Sequence, residues 1–241
     1  HLDMAGRVRL AWALISIFVA ESVVFGLAVA PAVVFWHWHF TWVVSPLWLR
    51  SVVLAMAFVP TYLLFAAGLI VWSAWSVRVL GWRTPQRGTF EIDAFEWPLL
   101  DWMRYLVSTH VVRVFVGSLF RATPVWTWYV RMNGARLGRG VYINSLAVTD
   151  HCQLEFGDGV VVGDGAHVSG HTVEAGLLKT APVRLGNRVT IGLGGVVSIG
   201  VTAGDDAQVG ALSLVPKFST LEPRTVYAGI PVRRIATDPR P

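Results

Sequence analysis

Histidine and carboxylate side chains stand in two groups in the second half of the 241-residue chain, and their types suit acid–base chemistry. Asp150 and His151 are adjacent, and His171 is followed three residues later by Glu174. A histidine titrates near neutral pH and can take a proton from an attacking amine or hydroxyl, while a carboxylate can orient it. We therefore predict His171 as a general base, with Glu174 as its orienting partner or as a ligand for a cationic amine. The alternative is that His171 only caps a corner of the fold.

A six-residue period runs through the chain after residue 133. Apolar residues recur every six positions at Leu185, Ile191, Val197, Ala203, Val209 and Val215, and in the same phase upstream at Phe156, Val162 and Val168. In a three-sided coil each side directs one such residue inward, where it stacks on its equivalent about 18 residues away. No helical pattern separates the predicted strands, which excludes an α/β fold. The period predicts an all-β, left-handed parallel β-helix.

The repeat is interrupted once, at residues 171–182, by a predicted loop that begins with His171. Segments that leave a rigid scaffold often carry binding and catalytic residues. One coil plus small insertions separates Asp150 and His151 from this segment, so we predict that the pair stacks near His171 and joins the catalytic site. The alternative is a solvated corner pair. His167 lies in the middle of a repeat side and is expected to face outward.

The first third of the chain is too apolar for an ordinary soluble domain. Residues 51–77 carry no formal charge, and residues 10–36 are interrupted only by Glu21. Each stretch exceeds the roughly 20 residues that cross a bilayer, so two transmembrane helices are predicted. Glu21 is predicted to be functional. The alternative is that it is protonated, or paired with a neighbouring helix of a larger assembly. The connection between the spans carries aromatic residues typical of the membrane interface, at Trp38, Trp42 and Trp48.

Basic residues flank both spans, and the segment that connects them holds only Arg50. By the positive-inside rule both ends face the cytoplasm, which places the β-helix on the cytoplasmic side of the cell membrane. The net charge is +5, but no Lys/Arg run or RNA-binding signature occurs, so membrane lipid and not nucleic acid is the expected partner. A single cysteine, Cys152, excludes an intrachain disulfide, and no ligand spacing supports a metal site.

An amphipathic stretch links the spans to the repeat, with apolar residues at helical spacing over residues 98–120. We expect it to lie in the membrane interface or to pack as a helix across the end of the β-helix. The predicted organisation is a two-helix transmembrane region at 1–80, an amphipathic helical bridge at 81–133, and the left-handed β-helix with a C-terminal cap at 134–241.

The six-residue phase, the interruption and the closing sequence YAGIPVRRI at 227–235 resemble hexapeptide-repeat acyltransferases. The resemblance implies transfer of an acyl group from a thioester to an amine or hydroxyl, a histidine as base, and trimers with sites between neighbouring β-helices. The pattern His171-x-x-Glu174 followed by Lys179 is similar to loops in synthetase-associated domains, and relatives place an acidic residue at the position of Asp150. We expect Lys179 and His167 to contact the substrate.

A closer resemblance covers nearly the whole chain. Paired spans followed by the segment FEIDAFEWPLLDWMRYLVSTHVVRVFVGSLFRATPVWTWYVRMNGA resemble the C-terminal part of ε-poly-L-lysine synthetase and related membrane-bound poly-amino-acid synthetases. These are nonribosomal peptide synthetases with three such domains after an adenylation and a carrier domain. The resemblance implies a condensation domain. It would join an aminoacyl thioester, held on the phosphopantetheine arm of the carrier domain, to an amino acid or a growing poly-amino acid.

The resemblance leaves several alternatives open. The three β-helix domains would assemble as a trimer within one chain or between chains. The fragment itself needs no resident cofactor, and because it begins with His1 and not Met, either a longer protein or a cloning remnant is expected. One alternative function is a stand-alone membrane-anchored O- or N-acetyltransferase that uses acyl-CoA. Another is a non-catalytic scaffold module of the synthetase.

Overall fold

The computed structural model describes residues 4–41 and 46–237. His1 and Trp42, on which two of the predictions above rest, lie outside these residues. The helices are α1 (Met4–Phe40), α2 (Leu47–Leu80), α3 (Trp97–Val112), α4 (Ser118–Phe120) and α5 (Pro124–Met132), with a π-helical turn at Arg113–Gly117 between α3 and α4. The strands are β1 (Gly88–Glu91), β2 (Arg136–Leu137), β3 (Tyr142–Ile143), β4 (Leu154–Phe156), β5 (Val161–Val162), β6 (His167–Val168), β7 (His171–Glu174), β8 (Leu177–Thr180), β9 (Val183–Leu185), β10 (Thr190–Ile191), β11 (Val196–Val197), β12 (Thr202–Ala203), β13 (Gln208–Val209), β14 (Leu214–Val215), β15 (Thr220–Leu221), β16 (Thr225–Gly229) and β17 (Val232–Thr237).

The short strands after α5 form three parallel sheets that the chain visits in rotation. One sheet has the order β2-β4-β9-β12-β15, the second contains β3-β5-β10-β13-β16, and the third is β6-β11-β14. Successive coils pair equivalent positions, as Thr190 pairs with Gln208 and Thr202 pairs with Thr220. The chain therefore winds as a three-sided stack of parallel coils, which we call the solenoid.

The core of the solenoid is the column of aliphatic residues that the six-residue period predicts. Each of the nine inward positions, from Phe156 to Val215, is at most 4% exposed. The coils stack at the spacing of paired strands, so corner positions that face the next coil leave no room for a side chain. A Cβ on Gly192, for example, would lie 2.6 Å from the backbone nitrogen of Ala211 in the next coil. The period thus sets both the core and the tight corners.

The segment at 171–182 is a β-hairpin, and the prediction of a loop there was wrong. Strands β7 and β8 pair antiparallel, and Ala175 and Gly176 form the turn with φ values of 50° and 74°. Two consecutive residues with positive φ are typical of the type I′ turn, which suits the twist of two-residue hairpins. Strand β1 of the bridge adds to the other edge of β8, so the hairpin is held in a three-stranded sheet.

Both ends of the solenoid are covered by other parts of the chain. Helix α5 packs against the first coil, where the buried Trp126 donates its Nε1–H to the carbonyl of Ser145 at 3.2 Å. At the other end β17 folds back antiparallel on β16. The bridge thus packs on one end of the solenoid, and the C-terminal tail covers an open sheet edge at the other.

Helices α1 and α2 pack against each other and are long and apolar enough to cross a membrane. Only 17% and 22% of their most apolar 18-residue windows are buried. Glu21 of α1 accepts a hydrogen bond from the Ser108 hydroxyl of α3. Glu21 therefore has a partner in the bridge of the same chain, and a functional role for this carboxylate stays a prediction.

Candidate active site

The Asp150 carboxylate and the His171 imidazole form a hydrogen-bonded pair, which we call the dyad. Asp150 Oδ2 lies 2.5 Å from His171 Nδ1. Asp150 adopts the left-handed conformation with a φ of 54°, and His171 begins strand β7. Gly170 lets the chain pass close to Asp150, because a Cβ on Gly170 would lie 2.5 Å from the Cβ of Gln153 and 3.0 Å from that of Asp150. The start of the hairpin thus places the imidazole on the carboxylate.

Asp150 is fully buried, and its carboxylate is surrounded by donors. Besides His171, the donors within 2.7–3.3 Å of its two oxygens are Thr84 Oγ1, Trp102 Nε1, Thr149 Oγ1, Ser169 Oγ and Gly170 N. Burial by itself would raise the pKa of Asp150. The hydrogen bond and charge of His171, together with the hydroxyls of Thr84 and Thr149, instead hold the pKa below its usual value. The carboxylate is therefore ionised at neutral pH.

An ionised Asp150 accepts a hydrogen bond from Nδ1–H of His171, so Nε2 is the ring nitrogen that can take up a further proton. The side chain of His171 is 22% exposed, so the ring lies at the surface while its partner is buried. This arrangement suits removal of a proton from an amine or hydroxyl that approaches from outside.

None of these five donors to Asp150 was predicted from the sequence, and two of them, Thr84 and Trp102, come from the bridge. Thr84 follows α2, and Trp102 lies on α3, where its ring contacts that of His171 at 5.0 Å between centroids. The helical spacing of apolar residues indicates that Trp102 lies on a buried face of α3. Nothing in that spacing indicates that the face meets Asp150.

His151 lies behind the dyad and is 1% exposed. Its Nε2–H donates to the carbonyl of Val148 at 3.1 Å, and its Nδ1 is buried without a hydrogen-bond partner among the described residues. Burial lowers the pKa of His151 to about 4, so the ring is neutral at physiological pH. The idea of a solvated corner pair at Asp150 and His151 was therefore wrong, and the catalytic role of His151 stays a prediction.

Glu174 lies at the far end of β7 and forms ion pairs with two lysines. Its carboxylate accepts hydrogen bonds from Lys179 Nζ at 2.8 Å and from Lys217 of the solenoid. These two ammonium groups lower the pKa of Glu174 to about 2. The carboxylate hydrogen-bonded to His171 is that of Asp150, so the prediction of Glu174 as the orienting partner was wrong. The hydrogen bonds to two lysines also argue against Glu174 as the ligand of a cationic amine.

The two residues expected to contact the substrate, His167 and Lys179, lie on strands β6 and β8. His167 is exposed on β6, on the outer face that its place in the repeat predicts. Lys179 lies on β8 opposite Thr172. Their roles in substrate binding stay predictions.

No protein-family model matches the chain, but curated proteins do. The galactoside O-acetyltransferase of Escherichia coli K12 is 36% identical over 107 residues, covering 41% of this chain and 52% of that protein. The serine acetyltransferase of Helicobacter pylori J99 is 33% identical over 106 residues, covering 44% of this chain and 59% of that protein. The chain thus spans about half the length of these two acetyltransferases.

The delta-poly-L-ornithine synthetase of Acinetobacter baumannii is 22% identical over 138 residues, covering 56% of this chain and 10% of that protein. Among solved structures, a galactoside acetyltransferase in complex with coenzyme A is similar with a TM-score of 0.42 and 22% identity, covering 55% of this chain and 82% of that chain. The resemblance to hexapeptide-repeat acetyltransferases and to poly-amino-acid synthetases, predicted from the sequence, is confirmed.

Proposed function

We propose that this chain is an acyltransferase built on a left-handed parallel β-helix, with His171 as its general base and Asp150 as the residue that orients the base. The observation that carries the proposal is the 2.5 Å hydrogen bond between Asp150 Oδ2 and His171 Nδ1. The similarity of part of the chain to two acetyltransferases, at 36% and 33% identity, supports it.

The chemistry follows from the arrangement of the dyad. The nitrogen or oxygen of the acceptor attacks the carbonyl carbon of a thioester while His171 Nε2 takes its proton, and the ionised Asp150 stabilises the imidazolium that forms. The tetrahedral intermediate then collapses and expels the thiolate, which receives the proton from His171. The products are an amide or ester and a free thiol, and the base returns to its neutral form.

For the substrates, we favour peptide-bond formation within a membrane-bound poly-amino-acid synthetase. The 138 residues matched to the delta-poly-L-ornithine synthetase are more than the segment 134–241 contains, so this match reaches back into the bridge. The 107 residues matched to the galactoside O-acetyltransferase are no more than the segment 134–241 contains, so the length of that match does not require the bridge. The donor would be an aminoacyl thioester on the phosphopantetheine arm of a carrier domain in the same synthetase. The acceptor would be an amino acid or poly-amino acid, and three β-helix domains would assemble as a trimer.

The second candidate is an acetyltransferase that uses acyl-CoA. It is favoured by the higher sequence identity to the galactoside O-acetyltransferase, which is 36% against 22% for the synthetase. The two candidates share the dyad and the thioester donor, and they differ in what carries the thioester and in the acceptor.

A membrane location belongs to the proposal. The two apolar helices are largely exposed, whereas the core helix of a soluble protein would be largely buried. Lipid is the environment that would cover such surfaces. The distribution of arginines would place the solenoid on the cytoplasmic side.

The test uses the full-length natural protein in isolated membranes, supplied with lysyl- and ornithyl-N-acetylcysteamine thioesters plus the free amino acids, or with acetyl-CoA plus a galactoside or serine. Mass spectrometry identifies the product. Peptide formation supports the synthetase function, and an acetylated acceptor supports the second candidate. His171→Ala should abolish either product, whereas His110→Ala, which changes an exposed histidine of α3, should not. Unchanged product with His171→Ala would contradict both candidates.

A further inference from the structure

The bridge contributes two of the donors that hold the dyad. Thr84 Oγ1 and Trp102 Nε1 both donate to Asp150 Oδ1, at 2.7 and 3.3 Å. Both residues are buried, with 1% and 9% of their surfaces exposed. With Oδ1 held from the bridge side, the other oxygen, Oδ2, is directed at His171. The orientation of the carboxylate therefore depends on a segment outside the solenoid.

Trp102 also contacts the base itself. Its ring meets the His171 imidazole at an interplanar angle of 68°, with 5.0 Å between centroids. Such an edge-to-face contact limits rotation of the imidazole.

We propose that Thr84 and Trp102 are positioning residues for the base, so that the bridge and the solenoid together complete the active site. Thr84 lies four residues after the end of α2, and Trp102 lies on the helix whose Ser108 pairs with Glu21 of α1. The two apolar helices are then joined to the part of the chain that sets the geometry of the base. The kinetic part of this inference rests on the proposed acyl transfer, and the geometric part does not.

Removing a donor from Asp150 has two physical consequences. The carboxylate loses part of what fixes its orientation, and small displacements of a catalytic group cost up to about 100-fold in rate. The carboxylate also keeps more of its negative charge for the imidazolium, so His171 stays protonated to higher pH. A residue that only stabilised the fold would not produce the second effect.

The kinetic test compares Thr84→Val and Trp102→Phe with two matched controls in the full-length protein in membranes. Thr84→Ser keeps the hydroxyl, and Trp128→Phe changes an exposed tryptophan of α5. Thiol release from acetyl-CoA or from lysyl-N-acetylcysteamine is measured at varied donor concentration. We expect kcat to fall about 10- to 100-fold in Thr84→Val and Trp102→Phe. The KM for the donor should stay within about threefold, and both controls should resemble the wild type.

A second measurement is independent of activity. Diethyl pyrocarbonate modifies unprotonated imidazoles, and peptide mass spectrometry reports the rate at His171 from about pH 5 to pH 9. We expect the midpoint of this profile in Thr84→Val to move upward by about half a pH unit or more. Thr84→Ser should restore the wild-type midpoint.

The outcomes separate this inference from the proposed function. A wild-type midpoint in Thr84→Val together with wild-type kcat in Trp102→Phe overturns the inference, even if His171→Ala abolishes transfer. An active His171→Ala protein overturns the proposed function, and the shifted midpoint alone then supports positioning. If Thr84→Val fails to accumulate in membranes, Trp102→Phe carries the test, because it removes the second donor to Oδ1 and keeps an aromatic ring.

Discussion

At the scale of single residues, Asp150 is an ionised carboxylate in a fully buried position, and its charge is compensated by hydrogen bonds from both the solenoid and the bridge. Glu174 is only three residues from His171 in the sequence, but its carboxylate forms ion pairs with two lysines and not with the imidazole. The two candidate partners of His171 therefore differ in their surroundings: Asp150 is buried, and Glu174 is at the surface.

A comparison of Asp150→Asn with Glu174→Gln tests this separation. We expect Asp150→Asn to lower kcat on the order of 1,000-fold, because a neutral amide neither stabilises the imidazolium nor fixes the Nδ1–H tautomer. Glu174→Gln should retain activity within a few fold, since ion pairs between exposed groups contribute little. Steady-state kinetics of thiol release checks both variants. A larger loss in Glu174→Gln than in Asp150→Asn would contradict the assignment.

The lowered pKa of Asp150 also predicts a dependence of stability on pH. A carboxyl whose folded pKa lies below its unfolded value, roughly 3.9, stabilises the fold above that value and loses this contribution as the pH falls through the folded pKa. We expect Asp150→Asn to melt below the wild type at neutral pH, with the gap narrowing below about pH 4. Thermal melting of detergent-solubilised protein measures the difference in Tm between the two proteins. A difference that widened toward low pH would contradict a lowered pKa of Asp150.

At the scale of elements, the column of buried apolar residues forms the core of the solenoid, and the hairpin places His171 beside Asp150. Ile191 lies in the middle of the column and is 1% exposed, whereas Leu193 lies two residues later at a corner and is 56% exposed. The hairpin carries His171 at its first residue and is held by β1 on one edge. The stability of the scaffold and the geometry of the base thus depend on different elements.

Ile191→Ala should reduce the free energy of unfolding by about 2–5 kcal/mol, because it opens a cavity between stacked coils that cannot collapse. Leu193→Ala removes a similar apolar side chain from a corner and should change the stability far less. Thermal or denaturant unfolding followed by circular dichroism compares the two variants. Equal losses would show that the column is not the core of the repeat.

At the scale of the whole molecule, the chain joins an apolar helical pair, a bridge and a solenoid through contacts that converge near the dyad. We expect the protein to remain in the membrane pellet after alkaline carbonate treatment, since two largely exposed apolar helices need lipid around them. Trypsin should cut the solenoid in inside-out vesicles and spare it in right-side-out vesicles. Release by carbonate, or the reverse pattern of protection, would contradict the proposed placement.

The sequence by itself determined the features that depend on periodicity and composition. Leu185, Ile191 and Val197 mark the repeat because each side of a coil has the same length. The two apolar stretches are recognisable because their length and composition alone show that they are long enough to cross a bilayer. The histidine at the interruption was also identifiable, because it stands where the period breaks. Such signals are local, and they survive without knowledge of the fold.

Only the tertiary structure decided which carboxylate serves His171. Glu174 is nearer in sequence. Successive side chains of β7 point to opposite faces, so Glu174, three residues after His171, lies on the other face and next to the turn, where it binds the lysines. Asp150 is 21 residues away and reaches the imidazole because one coil of the solenoid stacks it beside the start of the hairpin. The hydrogen bonds from Thr84 and Trp102 to Asp150 could not be predicted from the sequence either. They depend on how the bridge packs against the solenoid, and such packing produces no periodic pattern in the sequence.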